Sequence, residues 1–322
     1  MYLIKADNSS RELERKVVGF LKKKKIKFSY DSGDVALIIG GDDFILRVVG
    51  EFSKVVPVLG IHDGSSFFAE ANSLNFGNYI ELIEKKQYKL RERTRLVASV
   101  DGKQSSLALN DIGIFPTKTA TLLRYSLKID DEVFWKDTSD GIIIASPVGS
   151  TGYAFSAGGP IVLGDPDIFC LTPISSLNKS HTPVIINDNK KIVIENIETS
   201  SSVVLVLDGS KRIPVKGNKI VIEKSDSGVQ FLQFSETFGV QKKLKKRNIA
   251  SRVDKLTSIS PSAKLVYKVL AYEGELSQKE IINESQLPSR TVRYALDVLL
   301  RSGLVEKKAL LKDVRQRVYG IV

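Results

Sequence analysis

The residues best suited to chemistry lie between Asp140 and Pro160, which read DGIIIASPVGSTGYAFSAGGP. Gly141–Ala145 is a short apolar run with the character of a buried strand. After it the side chains shrink. Ser146, Gly149, Ser150, Thr151, Gly152, Ser156, Gly158 and Gly159 follow, with Tyr153 and Phe155 bulky among them. Small residues let a backbone approach a ligand closely. Hydroxyls supply short hydrogen bonds, and Tyr153 offers a flat face to a base. A plain loop between strands has the same composition. A second candidate is Gly40-Gly41-Asp42-Asp43, directly after the apolar run Asp34–Ile39. Ligands gather at strand ends in open α/β sheets. A carboxylate there, such as Asp42, can accept a proton from a hydroxyl within hydrogen-bond reach. The chain carries no P-loop lysine motif and no G-x-G-x-x-G after its first strand, so nucleotide binding must rest on other loops.

The elements that must position these residues fall into three groups. Tyr2–Ala6, Asp34–Ile39 and Val55–Ile61 read as strands. A helix from Asn8 or Ser9 to about Lys24, one after Asp43 and one over Asn78–Gln87 alternate with them. That alternation predicts a parallel sheet covered by helices. From Tyr88 onward strands follow one another: Leu90–Val100, Ser106–Phe115, Leu122–Ile129, Val133–Trp135, Gly141–Ala145, Lys191–Ile194, Val203–Leu207, Ile213–Lys216 and Ile220–Lys224. Asp101-Gly102, Asp130-Asp131 and Gly217-Asn218 are turn pairs between them. This predicts an all-β domain, a sandwich or layered sheet. The last part reads as helix Pro261–Glu273, a Ser277/Glu280 capping box, helix Arg290–Arg301 capped by Ser289, and two strands around Lys312-Asp313. Three helices and a hairpin resemble a winged helix-turn-helix; a helical dimerisation module is the alternative. The expected domains are 1–88 with 231–246 returning to it, 89–230, a linker 247–259, and 260–322.

Composition narrows the class. With 322 residues and 42% hydrophobic content, the chain is long enough for two or three packed domains. No apolar run approaches the roughly 20 residues of a membrane helix. The start, MYLIKADNSS, lacks the apolar core of a signal peptide. Cys170 is the only cysteine, so no internal disulfide forms and the cytoplasm is the expected compartment. Two histidines, His62 and His181, with that cysteine do not make a usual zinc site, and no metal site is expected from them. The net charge of +11 is uneven: residues 241–322 hold 18 Lys and Arg against 8 Asp and Glu, whereas residues 1–240 hold 30 against 29. That asymmetry points to a nucleic-acid-binding module on a nearly neutral body, or to a solvated basic surface. Ser289, Arg290, Thr291, Arg293 and Tyr294 fall on the first turns of the expected recognition helix, where base edges are met. Lys312, Arg315 and Arg317 on the wing would meet phosphates.

The segment Ser146-Pro147-Val148-Gly149-Ser150-Thr151-Gly152-Tyr153, with Ser156-Ala157-Gly158-Gly159-Pro160, closely resembles the signature of the NAD kinase family. The resemblance covers about residues 30–240. It implies that Asp42, with Gly41 beside it, contacts the adenosine 2′-hydroxyl of NAD and acts as the catalytic base. It implies that Asn110-Asp111 holds ribose hydroxyls, although such pairs after a strand also form turns. It further implies that Asp140 reaches the nicotinamide amide, and that Thr151, Gly152, Tyr153 and Ser156 line the dinucleotide. Thr172-Pro173-Ile174, Ser175 and Leu177-Asn178 resemble the segment closing the nicotinamide side, and Asp208-Gly209 resembles a late Asp-Gly turn. Phe68 matches an aromatic beside the adenine, with core packing as its alternative. The sequence departs at Asp43 and Phe44, where the family has glycine and threonine, and at Thr138, where an arginine is common.

The expected fold is therefore an NAD kinase-like α/β nucleotide-binding domain plus an all-β domain, followed by a winged helix-turn-helix domain. Two functions compete. One is a transcriptional regulator that senses NAD or NADP with a kinase-like body and binds double-stranded DNA as a homodimer or homotetramer. The other is an NAD kinase using ATP or polyphosphate, with Mg²⁺ on the phosphates. The altered phosphate loop and the basic C-terminal segment favour the first.

Overall fold

Apolar runs at the start of the chain become strands covered on both faces. The computed structural model describes residues 1–52, 54–64, 66–234, 260–273, 276–285, 287–310 and 313–321. Strands β1 (Tyr2–Ala6), β2 (Phe28–Ser29), β3 (Val35–Ile39), β4 (Val58–Ile61) and β5 (Ala69–Ala71) pair in parallel. Side chains alternate along β3. Leu37 and Ile39 meet Leu13, Val17 and Leu21 of helix α1 (Arg11–Lys23) on one face. Ile38 meets Ile45 and Val49 of α2 (Asp42–Glu51) on the other. Near-continuous apolar strands are what a doubly covered parallel sheet requires. The third helix, α3, runs over Phe76–Glu84, two residues before the expected start, because Phe76 is itself a core residue. It stops before Lys86, which takes a positive φ of 56°.

The run expected as one strand over Leu90–Val100 is two strands in different sheets. β6 (Lys89–Arg93) stays with the first sheet, and β7 (Leu96–Val100) opens the next. Arg95 at the break is fully buried. Its guanidinium donates to the carbonyls of Val49 and Phe52 at 2.9 Å and to those of Ser227 and its hydroxyl at 2.8 and 2.6 Å. Such a buried arginine is tolerated because its donors are met. The expected strand Ser106–Phe115 likewise divides, into β8 (Lys103–Ala108) and β9 (Asp111–Pro116).

Ten further strands complete the body: β10 (Leu123–Ile129), β11 (Glu132–Ser139), β12 (Gly141–Ala145), β13 (Ile168–Ile174), β14 (Val184–Asn187), β15 (Ile192–Glu198), β16 (Val203–Leu207), β17 (Lys211–Val215), β18 (Lys219–Lys224) and β19 (Val229–Gln233). All but β19 join β7, β8 and β9 in two six-stranded sheets, ordered β11-β10-β15-β18-β7-β8 and β14-β13-β12-β9-β16-β17. One core, including Leu96, Ile112, Leu127, Ile144, Phe169 and Ile222, fills the space between them. This is the layered all-β arrangement, with β13 and β14 not foreseen. β19 returns to the first sheet between β4 and β6. The returning segment beyond Phe234 and the expected linker lie outside the described residues.

The chain divides into two compact units, Met1–Lys243 and Leu244–Val322. In the second, α5 (Pro261–Glu273), α6 (Gln278–Ser285) and α7 (Ser289–Arg301) pack on a core of Val266, Leu270, Ile281, Leu296 and Leu299. A three-stranded sheet, ordered β20 (Leu276–Ser277), β22 (Asp313–Ile321), β21 (Val305–Leu310), completes it. The capping box forms: the Ser277 N–H donates to Glu280 Oε2 at 2.7 Å, and the Glu280 N–H to Ser277 Oγ at 3.3 Å. Ser289 is the first residue of α7 and not its cap; Pro288 holds that position. Among the described residues no helix is long and apolar enough to cross a membrane.

Candidate functional site

Asp42 is the first residue of α2, after Gly41 as N-cap. Its carboxylate reaches across to the segment between β4 and β5. The Phe67 N–H lies 2.8 Å from both oxygens, and the Phe68 N–H donates to Oδ1 at 3.1 Å. The Ser66 hydroxyl also donates to Oδ1. Among the described residues, Oδ1 thus takes three donors, whereas Oδ2 shares the Phe67 N–H. A carboxylate has about four lone-pair sites, so Oδ2 retains room for a substrate hydroxyl. Phe68, expected beside an adenine, is 3% exposed. Its ring stacks on Phe231 at 5.5 Å and meets Phe67 edge-on at 4.9 Å, so it packs the core. Its contribution to the site is its backbone N–H. Asp43 is exposed in the first turn of α2, where the helix dipole favours a negative charge. Phe44 folds back over Gly40, with the Arg47 guanidinium 5.1 Å from its ring centre.

The second part of the site is a turn held by a residue far away in sequence. Between β8 and β9, the N–H groups of Leu109, Asn110 and Asp111 all donate to the Asp208 carboxylate, at 2.9, 2.7 and 3.2 Å. That is why the expected strand breaks there: three ladder donors are taken by a side chain. Asp208 and Gly209 both take positive φ, 48° and 70°, in the turn from β16 to β17. Burial raises the Asp208 carboxyl above its ordinary value, and the three N–H groups oppose the rise. Asp111 is buried, and Asn110 Oδ1 is buried with no partner among the described residues. A buried acceptor left open is uncommon enough to mark a ligand-facing atom.

The Gly/Ser-rich stretch packs onto that turn. Ser146 donates its hydroxyl to the Leu109 carbonyl at 2.6 Å, and its N–H to the Asn110 carbonyl at 2.9 Å. Gly149 is obligatory, since any Cβ there collides with the Asn110 carbonyl. Gly149–Thr151 forms a 3₁₀ turn, and Tyr153–Ser156 forms the short helix α4. The stretch expected as an open loop is therefore ordered by its own hydroxyls: Ser150 Oγ donates to the Pro147 carbonyl at 2.7 Å and accepts from the Val162 N–H at 3.1 Å. Gly152 lies beside the Asp111 carboxylate. Tyr153 is half exposed and stacks on Phe115 at 5.9 Å, while Ser156 is exposed. Leu109 and Val148 share a core with Phe67 and Phe68, which brings this turn against the segment that grips Asp42.

Asp140 and Ser175 lie elsewhere. β12 runs antiparallel to β9 with Ala145 opposite Asp111 and Ile142 opposite Ile114. Asp140 precedes the far end of β12, so its backbone stands roughly 15–20 Å along the strand from Asp111. There it meets Ser175: the Asp140 N–H donates to the Ile174 carbonyl at 2.9 Å, and both residues are exposed. Among the described residues no group of three or more His, Cys, Asp or Glu could hold a metal ion. The residues of the C-terminal unit lie in their own compact unit. Ser289, Arg290 and Arg293 are exposed on α7, and Tyr294 is 62% exposed. Lys312 lies outside the described residues; Arg315 and Arg317 fall on β22.

Sequence reading missed Asp208's role and Ser66's. The Asp-Gly pair with a preceding apolar strand was the available signal for Asp208, but it names a turn and not its target.

An open parallel sheet with an aspartate at a strand end, joined to a layered β domain whose Gly/Ser turn faces it, defines a nucleotide-binding architecture. Residues 109–234 match the family described as the ATP-NAD kinase C-terminal domain. The NAD kinase of Clostridium botulinum (strain ATCC 19397 / Type A) is 32% identical over 246 residues, covering 70% of this chain and 88% of that protein. The NAD kinase of Clostridium perfringens (strain 13 / Type A) is 33% identical over 207 residues, covering 62% and 75%. Among solved structures, an NAD kinase from Archaeoglobus fulgidus in complex with ATP superposes with a TM-score of 0.63 at 26% identity, covering 74% of this chain and 96% of that one. Yeast NADH kinase complexed with NADH shares the fold, with a TM-score of 0.65 at 23% identity over 73% of this chain and 84% of that one. The chain belongs to the NAD kinase family.

Proposed function

We propose that the body phosphorylates the adenosine 2′-hydroxyl of NAD, with ATP or polyphosphate as donor, to give NADP. The observation that carries this is the Asp42 carboxylate, gripped chiefly through Oδ1 by the 66–68 segment, with Oδ2 sharing the Phe67 N–H and keeping lone-pair capacity for a hydroxyl. Asp42 takes the hydroxyl proton as the 2′-oxygen forms its bond to the γ-phosphorus. The bond from that phosphorus to the bridging oxygen breaks, and its electron pair leaves with ADP. Asn110 and Asp111 hold ribose hydroxyls, with Gly41, Thr151, Gly152, Tyr153 and Ser156 along the dinucleotide. Phe68 serves through its N–H. Asp140 and Ser175 take the nicotinamide end. Mg²⁺, which neutralises charge on transferring phosphates, would ride on the donor with Asp42 and Asp43 as the nearby carboxylates, since Mg²⁺ is commonly bound by one or two carboxylates plus phosphates. Incubating the full chain with NAD, ATP and Mg²⁺ and assaying NADP tests the reading.

The relatives' names support the kinase over the sensor-regulator that the altered loop and basic segment first favoured. One observation keeps a second activity in view. The C-terminal unit places three helices against a three-stranded sheet ordered β20-β22-β21, with Arg290 and Arg293 exposed on α7, which supports a winged helix-turn-helix reading. We propose that it binds duplex DNA as part of a homodimer or homotetramer on a two-fold site. The single cysteine makes the cytoplasm the fitting compartment. Mobility shifts with the full chain on selected genomic fragments test the DNA reading.

A further inference from the structure

A dense polar cluster in the body gathers on Asp137 of β11, which is 3% exposed. A buried carboxylate is costly unless hydrogen-bonded, and here three donors from separate places converge on it. The Ser176 hydroxyl donates to Oδ1 at 2.6 Å, His181 Nδ1 lies 3.0 Å from the same oxygen, and the Tyr125 hydroxyl donates to Oδ2 at 3.2 Å. Asn178 fixes the imidazole's tautomer. Its Oδ1 accepts from the Ser180 N–H and hydroxyl at 3.1 and 2.7 Å, which turns its amide nitrogen toward His181 Nε2 at 3.0 Å. Nε2 is thereby assigned as acceptor, and the ring proton sits on Nδ1, facing Asp137. Trp135 stacks on the same imidazole, 4.7 Å between centres and 18° between planes. The Leu177 N–H donates to the Thr138 carbonyl at 2.9 Å.

These contacts fasten the segment after β13 to β11, at the end of the sheet where Ser175 and Asp140 meet. Ser175 takes a positive φ of 49°, and its neighbour Ile174 pairs with Gly141 across the two strands. Apart from the side-chain clamp, two backbone bonds flank Ser175 and Asp140: the Asp140 N–H to the Ile174 carbonyl and the Leu177 N–H to the Thr138 carbonyl, both at 2.9 Å.

We propose that Asp137 and His181 are positioning residues that hold segment 175–181 so that Ser175 and Asp140 present together to the dinucleotide, setting its affinity and not that of the phosphoryl donor. The inference rests on the kinase reading of Asp140 and Ser175. Trp135 is the only tryptophan in the chain, so its emission reports the clamp directly. The test uses the full chain with His181→Ala and His181→Asn. The asparagine keeps an amide donor toward Asp137; the alanine does not. Titration with NAD, followed by Trp135 emission and calorimetry, gives Kd; NADP formation with each substrate varied gives KM. His181→Ala should weaken NAD binding by about tenfold or more, the loss expected for a hydrogen bond to a charged group. The KM for ATP should change less than about twofold, and His181→Asn should recover most of the NAD affinity. Unchanged NAD affinity in the alanine variant, equal losses for NAD and ATP, or no recovery with asparagine would each overturn the clamp. A wild type that binds NAD but forms no NADP removes the kinase reading and leaves the clamp to be judged by Kd. A wild type that binds no NAD overturns both.

Discussion

Asp208 devotes its carboxylate to three backbone N–H groups roughly one hundred residues earlier in the chain, at Leu109, Asn110 and Asp111. Removing it leaves those donors without that acceptor, in the turn that also carries the open Asn110 Oδ1. Asp208→Ala should cost about 2–4 kcal/mol in urea unfolding, in line with several buried donors losing a charged partner. Asp208→Asn keeps an acceptor and tolerates the positive φ, so it should cost less. Burial favours the protonated acid, so its linkage contribution is complete below the ordinary value of 3.8 and is lost as pH rises through the raised folded value. Asp208→Asn should flatten that part of the stability–pH curve; an identical slope would contradict the assignment. Cys170 offers a simpler check. Burial pushes its thiol up to about 11. At pH 8 it should resist iodoacetamide in the native protein and react after denaturation. At this scale the sequence was most legible where chemistry-bearing residue types cluster. Asp42, Asn110-Asp111 and Gly149–Tyr153 stand out as short clusters of residue types, and the roles proposed for them rest on that clustering. Asp208, and Asp137 with His181, act on partners 97 and 44 residues away, and no local pattern encodes a target at that distance.

The elements show where periodicity failed. Two apolar runs, each read as one strand, divide because single residues redirect the backbone: Arg95 at one break and the Asp208-held turn at the other. The signal at each break is short: the polar stretch Arg91–Arg95 at one, and a change of phase from Leu107 and Leu109 to Ile112 and Ile114 at the other. The parallel strands and α7 were legible because their apolar faces are long. At the start of α2 the structure refines the meaning of the altered loop. Phe44 covers Gly40 instead of projecting from the loop, and Asp43 stays exposed. Asp43→Gly with Phe44→Thr restores backbone access and removes a negative charge. Steady-state assays should show a lower KM for ATP in the double variant with little change for NAD. An unchanged or higher KM for ATP would mean that this loop does not face the donor. On α7, Arg290 and Arg293 lie about one turn apart on the exposed face opposite Val292, Ala295, Leu296 and Leu299. Replacing either with alanine should weaken specific DNA binding by about 1–3 kcal/mol and relax selectivity at particular base pairs. Mobility shifts across salt concentrations separate this from loss of phosphate contacts, which weakens all sequences alike.

For the whole molecule, the body and the C-terminal unit carry different signals. The body's identity rests on extended similarity, 32% over 246 residues with the Clostridium botulinum enzyme, and on a fold shared with an archaeal NAD kinase. The C-terminal unit rests on its own helix and sheet order and on the basic excess of residues 241–322. The body's activity is therefore the central claim, and transfer of labelled phosphate tests it most directly. The full chain, given γ-labelled ATP, Mg²⁺ and NAD, should move the label to the adenosine 2′-position, with the product identified as NADP. Asp42→Asn should keep NAD affinity within about threefold while turnover falls by about 10²–10⁴-fold, the range for loss of a general base. Label that never reaches NAD with either ATP or polyphosphate, or an Asp42→Asn variant that turns over as fast as the wild type, would contradict the account.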